Sequence, residues 1–110
     1  MHVTPFLDAQ PYDAPRHFGM RGYRLQGGEA SAFGAQVGLS VFEPGGGADL
    51  SSSGVDRVYV VASGEITITV SGTETLLREC DSCFIPAGEA RALRNHGVLP
   101  CVMITVISKS

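Results

Sequence analysis

The stretch Pro44–Gly64 constrains the fold more than any other part of this 110-residue chain. It begins with a proline and three glycines, passes through polar residues to a charged corner at Asp56 and Arg57, and ends at a further glycine. Glycine clusters favour turns because glycine adopts backbone angles that other residues avoid. We therefore expect a glycine-rich turn, a polar strand, a corner, the apolar strand Val58–Ala62 and a tight turn at Ser63–Gly64.

Apolar residues elsewhere recur in short runs with the two-residue period of β-strands. Glu65–Val70 (EITITV) alternates cleanly, and Ser71–Gly72 then turns the chain into Thr73–Leu77, which predicts a hairpin. Further strands are expected at Met20–Gln26, Val37–Phe42, Cys83–Ile85, Arg91–Asn95 and Cys101–Ile107. No helix of about ten residues with a 3.6-residue period can be placed, so the sequence predicts an all-β sandwich or barrel.

Size and charge exclude several classes of protein. A chain of this length is expected to form one domain with a single core. The net charge of −3 and the lack of a basic run argue against a nucleic-acid surface. No apolar run is long enough to cross a membrane, and the N-terminal residues lack the pattern of a signal peptide. The expected location is the cytoplasm, with neither nucleic acid nor membrane as a partner.

The cysteines raise the question of a zinc site. Cys80, Cys83, His96 and Cys101 have a spacing that a zinc-binding module could use. Such sites usually stabilise chains with too little core, and this chain has ample apolar residues. The segment between Cys83 and His96 also contains a Pro86–Gly88 corner and is predicted as strand rather than as a ligand-bearing helix. The cysteines are therefore interpreted as ordinary buried thiols in the reduced state.

Two series of residues carry a family resemblance. In the first, Gly64 closes a motif and follows Tyr59–Val61 at the usual distance. The second has the spacing of the motif Gly-x5-Pro-x-Gly-x2-His-x3-Asn, at Cys80, Pro86, Gly88, Arg91 and Asn95. In these features the chain resembles the cupins, which are small jelly-roll barrels. The resemblance covers about Val37–Ile107 and implies a cupin-type double-stranded β-helix.

The resemblance also implies an arrangement of domains and a partner. Residues 1–36 would form an N-terminal arm with the first strand, and residues 37–110 would form the barrel. The first 18 residues contain three prolines and no hydrophobic period, as expected of an arm lying over the surface or over a partner. In cupins this region often pairs with the sheet of a neighbour, which would also cover an exposed strand edge. We therefore expect a homodimer.

The positions that resemble cupin metal ligands carry other residues here. Counting from Gly64 and along the second motif, the histidine and glutamate positions are occupied by Ser51, Ser53, Arg57 and Arg91. Serine hydroxyls are poor ligands for transition metals, and a guanidinium has no lone pair to offer. Two arginines would also repel a divalent cation. The sequence therefore predicts neither a metal nor another cofactor.

Strand parity predicts what lines the barrel instead. Residues two apart on a strand share a face, so each strand would present one set of side chains to the interior. In the register implied by the resemblance, the ligand-binding residues are Ser51, Ser53, Arg57, Tyr59, Arg91 and Asn95. Buried arginines need compensation. It would come either from internal carboxylates, for which Glu43, Asp49 and Asp56 are candidates, or from an anionic ligand.

Three functions remain open from the sequence. The first is a metal-free protein that binds a small carboxylate or phosphate metabolite, since arginine binds both groups with a two-pronged fork. The second is a metal-independent isomerase, lyase or epimerase in which the arginines anchor a carbonyl acid and Tyr59 transfers a proton. No inward histidine is expected, because His96 should face outward and His2 and His17 lie in the arm, so Glu43 and Asp49 are the remaining candidates for a base. The third is a metal site built from Asp49, Asp56 or the cysteines.

Overall fold

The computed structural model describes all 110 residues, and its regular secondary structure is almost entirely β-strand. A short 3-10 turn at Phe6–Asp8 precedes nine strands: β1 (Gln10–Tyr12), β2 (His17–Gln26), β3 (Ala35–Ser51), β4 (Arg57–Ser63), β5 (Ile66–Val70), β6 (Thr73–Leu77), β7 (Ser82–Ile85), β8 (Arg91–Arg94) and β9 (Cys101–Ser108). The predicted all-β class is confirmed, and from β4 onward every predicted strand agrees with the structure within one residue at each end. No helix is long and apolar enough to cross a membrane.

The strands form one antiparallel sheet that curls into a nearly closed barrel. Its order is β6-β5-β8-β3-β9-β4-β7, with β2 beside β3 and β1 beside β2. From β5 to β7 in this order, neighbouring strands are not consecutive in sequence, as in a jelly roll, where strands cross between the two faces of the barrel. The predicted cupin-type barrel is confirmed.

Strand β3 joins the two faces of the barrel. Its first half pairs with β9, from Ala35 opposite Ser108 to Phe42 opposite Cys101. Its second half leaves β9 and pairs with β8, beginning at Gly47 opposite Arg94. The change of partner takes place at the glycine cluster, so this cluster lies inside one strand and bends it.

The predicted turn at Pro44–Gly47 is therefore wrong. Gly45 has a φ of +83°, which side-chain-bearing residues rarely adopt, and this lets the strand kink without ending. A Cβ on Gly47 would collide with the carbonyl oxygen of Leu93. The glycines are needed here for a bend and a close approach between strands rather than for a chain reversal.

The core lies between the two faces and continues into the floor of a cavity. It consists of eleven buried residues: Phe42, Ala48, Tyr59, Val61, Ile66, Ile68, Leu77, Ile85, Leu93, Cys101 and Met103. Ile66 and Ile68 point inward, as the alternation in EITITV predicts. Phe42, Tyr59 and Met103 belong to the core and also line the cavity. The rigid part of the barrel thus supports the candidate site directly.

The N-terminal residues pack onto their own barrel. β2 begins three residues earlier than the predicted strand Met20–Gln26 and pairs with β3 along most of its length. Gln26 Nε2 donates hydrogen bonds to the carbonyl of His2 at 3.2 Å and to Thr4 Oγ1 at 3.2 Å, which ties the first residues to the end of β2. Residues 1–18, which were predicted to form an arm, thus contain β1 and the first two residues of β2.

Candidate functional site

A cavity of about 410 Å³ opens at one end of the barrel. Five of the six predicted site residues line it: Ser51, Ser53, Arg57, Tyr59 and Arg91. The opposite wall comes from the N-terminal region, through the turn before β2 and through β2 itself. The motif spacing thus correctly predicted most residues of one cavity wall. The facing wall comes from residues outside those motifs and was not predicted.

A second depression of about 480 Å³ lies between the N-terminal residues and the end of β2. Although larger, it is lined by a mixture of small, amide-bearing and ionisable residues, the last being His2, Asp8 and Arg24, and none of the six predicted site residues borders it. The cavity in the barrel gathers the arginines, the tyrosine and the hydroxyls, so it is the better candidate for a binding site.

Antiparallel pairing puts the site residues on one inner face. Tyr59 on β4 lies opposite Thr105 on β9, and Arg57 lies opposite Ile107. On the neighbouring face Ser51 lies opposite Arg91. Residues directly opposite each other in such pairs point to the same side of the sheet, so the parity argument made from the sequence holds for these residues.

Arg91 is buried, with only 7% of its surface exposed. Its Nε donates a hydrogen bond to Tyr59 Oη at 3.1 Å, and its Nη1 donates to the carbonyl oxygen of Ser51 at 2.7 Å. Its Nη2 makes no hydrogen bond within the protein, and the single ion pair of the structure joins Arg21 and Glu43 on the surface. Arg91 is therefore a buried cation held only by neutral oxygens.

Arg57 is held in a similar way by a serine. Its Nη2 donates a hydrogen bond of 2.7 Å to Ser53 Oγ, and that hydroxyl donates in turn to the carbonyl of Val55 at 3.2 Å. The other N–H groups of Arg57 have no partner in the protein. Ser53 thus fixes one side of the guanidinium and leaves its remaining donors available.

The predicted internal carboxylates do not compensate the two arginines. Glu43 pairs with Arg21 at the surface. Asp56 Oδ1 accepts a hydrogen bond from the backbone N–H of Ala87 at 2.8 Å, and Asp49 is exposed. The hypothesis of internal salt bridges is therefore not supported by the contacts that form.

The prediction that Asn95 lines the cavity is wrong. Its side chain is fully buried, and its Nδ2 donates to the carbonyls of Phe42 at 3.0 Å and Leu99 at 2.9 Å. Its Oδ1 accepts from the backbone N–H of Gly97 at 2.9 Å. β8 ends at Arg94, so strand parity no longer applies one residue later. Asn95 instead closes the loop that follows β8.

His17 lines the cavity, although no sequence pattern predicted that position for it. Its Nδ1 lies 2.8 Å from the carbonyl oxygen of Pro15, so this nitrogen carries the proton and Nε2 is left as an acceptor. Burial lowers the pKa of His17, and the charges of Arg91 and Arg57 lower it further. The expectation that no histidine faces inward is therefore wrong, and the cavity contains a neutral imidazole at neutral pH.

Two buried hydroxyls in the cavity wall were also missed. Ser40 and Thr105 are 3% and 6% exposed and line the cavity from β3 and β9. A signal for them was present, since each interrupts an otherwise apolar run, VGLSVF and CVMITVI. No comparable signal marked His17, because the alternation of β2 is broken by Gly19 before it reaches this residue.

The donor set of the cavity does not fit a metal ion. Besides its arginines and hydroxyls, the wall offers one imidazole, His17, and one carboxylate, Asp13. Nowhere in the structure do three or more histidine, cysteine, aspartate or glutamate side chains form a group that could hold a metal. Transition-metal centres need more nitrogen, sulfur or carboxylate ligands than this wall supplies.

The cysteines do not assemble into the zinc site that their spacing could suggest. Cys101 is buried on β9, as predicted for the thiols, whereas Cys80 lies exposed in the turn between β6 and β7, so that prediction is wrong for Cys80. His96 is exposed, as predicted. Burial, together with the nearby negative charge of Glu65, raises the pKa of Cys101 to about 11. At neutral pH Cys101 is therefore a protonated thiol packed in the core.

Comparison with known proteins agrees with this geometry. The family model for the cupin domain matches residues 38–107. The chain is 37% identical over 109 residues to a protein of Mycobacterium tuberculosis named beta-D-galactosidase, covering 98% of this chain and 94% of that protein. The chain belongs to the cupin family. This cupin matches the family model only from β3 onward, so the wall of the cavity that contains His17 lies outside the matched region.

Solved structures of other proteins share the fold of this cupin. The polyketide cyclase RemF of Streptomyces resistomycificus has a TM-score of 0.87 at 15% identity, covering 100% of this chain and 80% of that chain. A predicted oxalate decarboxylase of Thermotoga maritima has a TM-score of 0.81 at 20% identity, covering 98% of both chains. An RmlC-like cupin of Shewanella frigidimarina has a TM-score of 0.82 at 17% identity, covering 100% and 92%. At these identities the likeness concerns the fold alone.

Proposed function

We propose that this cupin binds a small metabolite with a carboxylate or phosphate group between Arg57 and Arg91. The observation that carries the proposal is the burial of Arg91 without an anionic partner. An uncompensated charge in a desolvated site is costly, and an anionic ligand would offset that cost. Arginine is well suited to this role because its planar fork matches the oxygens of carboxylates and phosphates.

The contacts around the arginines support ligand binding rather than internal pairing. Ser51, Ser53 and Tyr59 each accept from one side of a guanidinium and leave other donors without a protein partner. Because Tyr59 Oη accepts from Arg91, its own proton is free to be donated to a ligand. A volume of about 410 Å³ falls within the range of small-molecule sites, roughly 300–1,000 Å³.

The binding test compares arginine variants with a matched surface control. Arg57→Gln and Arg91→Gln each remove one cavity cation, and Arg78→Gln removes an exposed one. Acetate, lactate, gluconate and inorganic phosphate are titrated by calorimetry and thermal shift. At least one of these anions should raise the melting temperature of the wild type and of Arg78→Gln. Loss of one charge-assisted partner costs about 2–5 kcal/mol, so both cavity variants should bind more than tenfold more weakly.

A different outcome would identify a purely structural barrel. In that case no anion would stabilise the wild type, and both cavity variants would melt at sharply lower temperature because their arginines supported the fold. The proposal instead expects the unliganded variants to remain folded, since removing one of two neighbouring cations also removes repulsion.

Proton transfer is a further chemical option for the same site. His17 offers a neutral imidazole as a base, and Tyr59 offers a phenolic proton. A metal-independent isomerase, lyase or epimerase acting on a carbonyl acid would use such a pair, with the arginines holding the carboxylate. Exchange of a ligand C–H for deuterium, followed by NMR in heavy water and abolished by His17→Gln, would demonstrate this activity.

Hydrolysis of β-D-galactosides is a second candidate, favoured by the name of the Mycobacterium tuberculosis relative. Most glycosidases use two carboxyl groups about 5–9.5 Å apart on either side of the scissile bond. The cavity wall contains one carboxylate, Asp13, so the usual pair is not assembled. A chromogenic galactoside decides the matter: turnover that disappears in Asp13→Asn would establish this activity over simple anion binding.

A further inference from the structure

One buried hydroxyl of the cavity has no hydrogen-bond partner. Thr105 is 6% exposed, and its Oγ1 is the single buried side-chain nitrogen or oxygen in the structure that lacks a partner. Buried polar groups in native proteins are almost always satisfied, because leaving one unpaired costs about 1–3 kcal/mol. An exception on the wall of a cavity points to a group that enters the cavity and completes the bond.

The surroundings of Thr105 leave space for such a group. Thr105 lies opposite Gly38 on β3, which has no side chain to fill the gap. A Cβ on Gly38 would lie 3.0 Å from Thr105 Oγ1 and 3.2 Å from Tyr12 Oη, so a side chain at this position would crowd both hydroxyls. A recess of about 60 Å³ lies there, and Thr105 and Tyr12 line both this recess and the main cavity. That volume is enough for a ligand hydroxyl.

The recess lies at a definite distance from the anion site. Thr105 is directly opposite Tyr59, and Arg57 lies two residues before Tyr59 on the same strand. A strand rises about 3.3 Å per residue, so the guanidinium and the threonine hydroxyl belong to positions roughly 6–7 Å apart along the barrel. A single molecule could reach both if its acidic group and a hydroxyl were separated by several carbons.

We propose that the ligand is a polyhydroxylated carboxylic acid of about four to six carbons, of the sugar-acid class, with one hydroxyl bound by Thr105. This inference rests on the proposed function, because it assumes that the arginines hold the carboxylate. Thr105 can donate to and accept from a ligand hydroxyl, whereas an unsubstituted fatty acid would leave Thr105 Oγ1 unsatisfied. Thr105 is thus the residue that distinguishes hydroxy acids from plain acids.

The experiment compares two acids of equal length on matched variants. D-Gluconate and hexanoate both have six carbons and one carboxylate, but only gluconate carries hydroxyls. Thr105→Val removes the hydroxyl, Thr105→Ser keeps it, and Thr75→Val changes an exposed threonine on β6 as a control. Dissociation constants are measured by calorimetry for the wild type and all three variants. Melting temperatures without ligand verify folding, and Thr105→Val should melt at or above the wild type because it removes an unsatisfied hydroxyl.

The expected result is a selective loss. Thr105→Val should bind gluconate about five- to tenfold more weakly while its affinity for hexanoate stays within about twofold, and Thr105→Ser and Thr75→Val should behave as the wild type. Equal effects on the two acids, or an unchanged affinity for gluconate, would overturn the inference and leave a water molecule as the occupant of the recess. Failure of the proposed function has a different signature: neither acid binds the wild type, and Arg91→Gln changes nothing.

Discussion

His17 couples the protonation of one residue to the stability of the whole fold. Burial, followed by Arg91 and Arg57, holds its pKa below the ordinary value of 6.5. As pH falls through 6.5 the unfolded chain takes up a proton at this residue before the folded chain does. The free energy of unfolding should therefore decrease in that range, and the contribution from His17 is fully retained only above it.

Replacement of His17 tests this coupling. His17→Gln should flatten the dependence of unfolding free energy on pH between about 7.5 and 5.5, as measured by urea denaturation. His96→Gln, which changes an exposed histidine, should reproduce the wild-type curve. Parallel curves for His17→Gln and the wild type would mean that the environment of His17 does not disfavour its charged form.

At the scale of single residues, sequence spacing correctly predicted which side chains line the cavity where the residue lies within a continuous strand. Arg57 and Tyr59 face the cavity because parity holds along β4. Asn95 does not, because β8 has already ended before it. The side chain of His17 is placed in the cavity by the turn just before it, in which Arg16 has a φ of +62°. No periodic sequence pattern predicts such a turn. Residues placed by turns could not be predicted from alternation.

At the scale of elements, the strands were predictable and one connection between them was not. Alternation identifies β5 well because Ile66 and Ile68 face the core, whereas β6 is exposed up to Leu77 and was predicted from the Ser71–Gly72 turn. The glycine cluster in β3 was interpreted as a turn because the same residues serve turns and bends equally well. What distinguishes the two is the pairing of β3 with β8, a contact between distant parts of the chain.

The N-terminal strands give an element-scale prediction for stability and assembly. Deleting residues 1–26 would remove β1 and β2 and expose the edge of β3 with which β2 pairs. The free energy of unfolding should fall. The fraction of protein in the homodimer that we expect for this cupin should also fall, because an exposed strand edge favours nonspecific association over a defined dimer. Light scattering at micromolar concentration and urea denaturation measure the two effects.

A shorter deletion is the control for this experiment. Removing residues 1–9 leaves both strands in place and should have the smaller effect on both quantities. A monomer in the full-length chain, or unchanged stability after deletion of residues 1–26, would contradict the prediction.

At the scale of the whole molecule, the charge of the cavity is opposite to that of the protein. The chain has a net charge of −3, yet the cavity wall contains four arginines against one aspartate: Arg16, Arg24, Arg57, Arg91 and Asp13. A concave cationic site in an acidic protein attracts anions and repels metal cations. The barrel is that of a cupin, but its interior has the electrostatic character of an anion site.

Metal content is the whole-molecule measurement that follows from this charge distribution. Untagged protein should be purified without a stoichiometric transition metal, because its ligand-like positions are Ser51, Ser53, Arg57 and Arg91. Elemental analysis by mass spectrometry checks this, with a metal-loaded cupin as the positive control. About one equivalent of metal per chain would contradict our interpretation of the cavity.

The two walls of the cavity come from separable parts of the chain. One is built by strands within residues 38–107, and the other by the turn and strand that contain Tyr12, His17 and Arg24, which precede that region. Ligand choice can therefore diverge among relatives through exchange of a short leading segment while the barrel itself is conserved in shape. Chimeras that trade residues 1–36 between this cupin and its relatives should change the contacts made by Tyr12, His17 and Arg24 while keeping those of Arg57, Arg91 and Thr105.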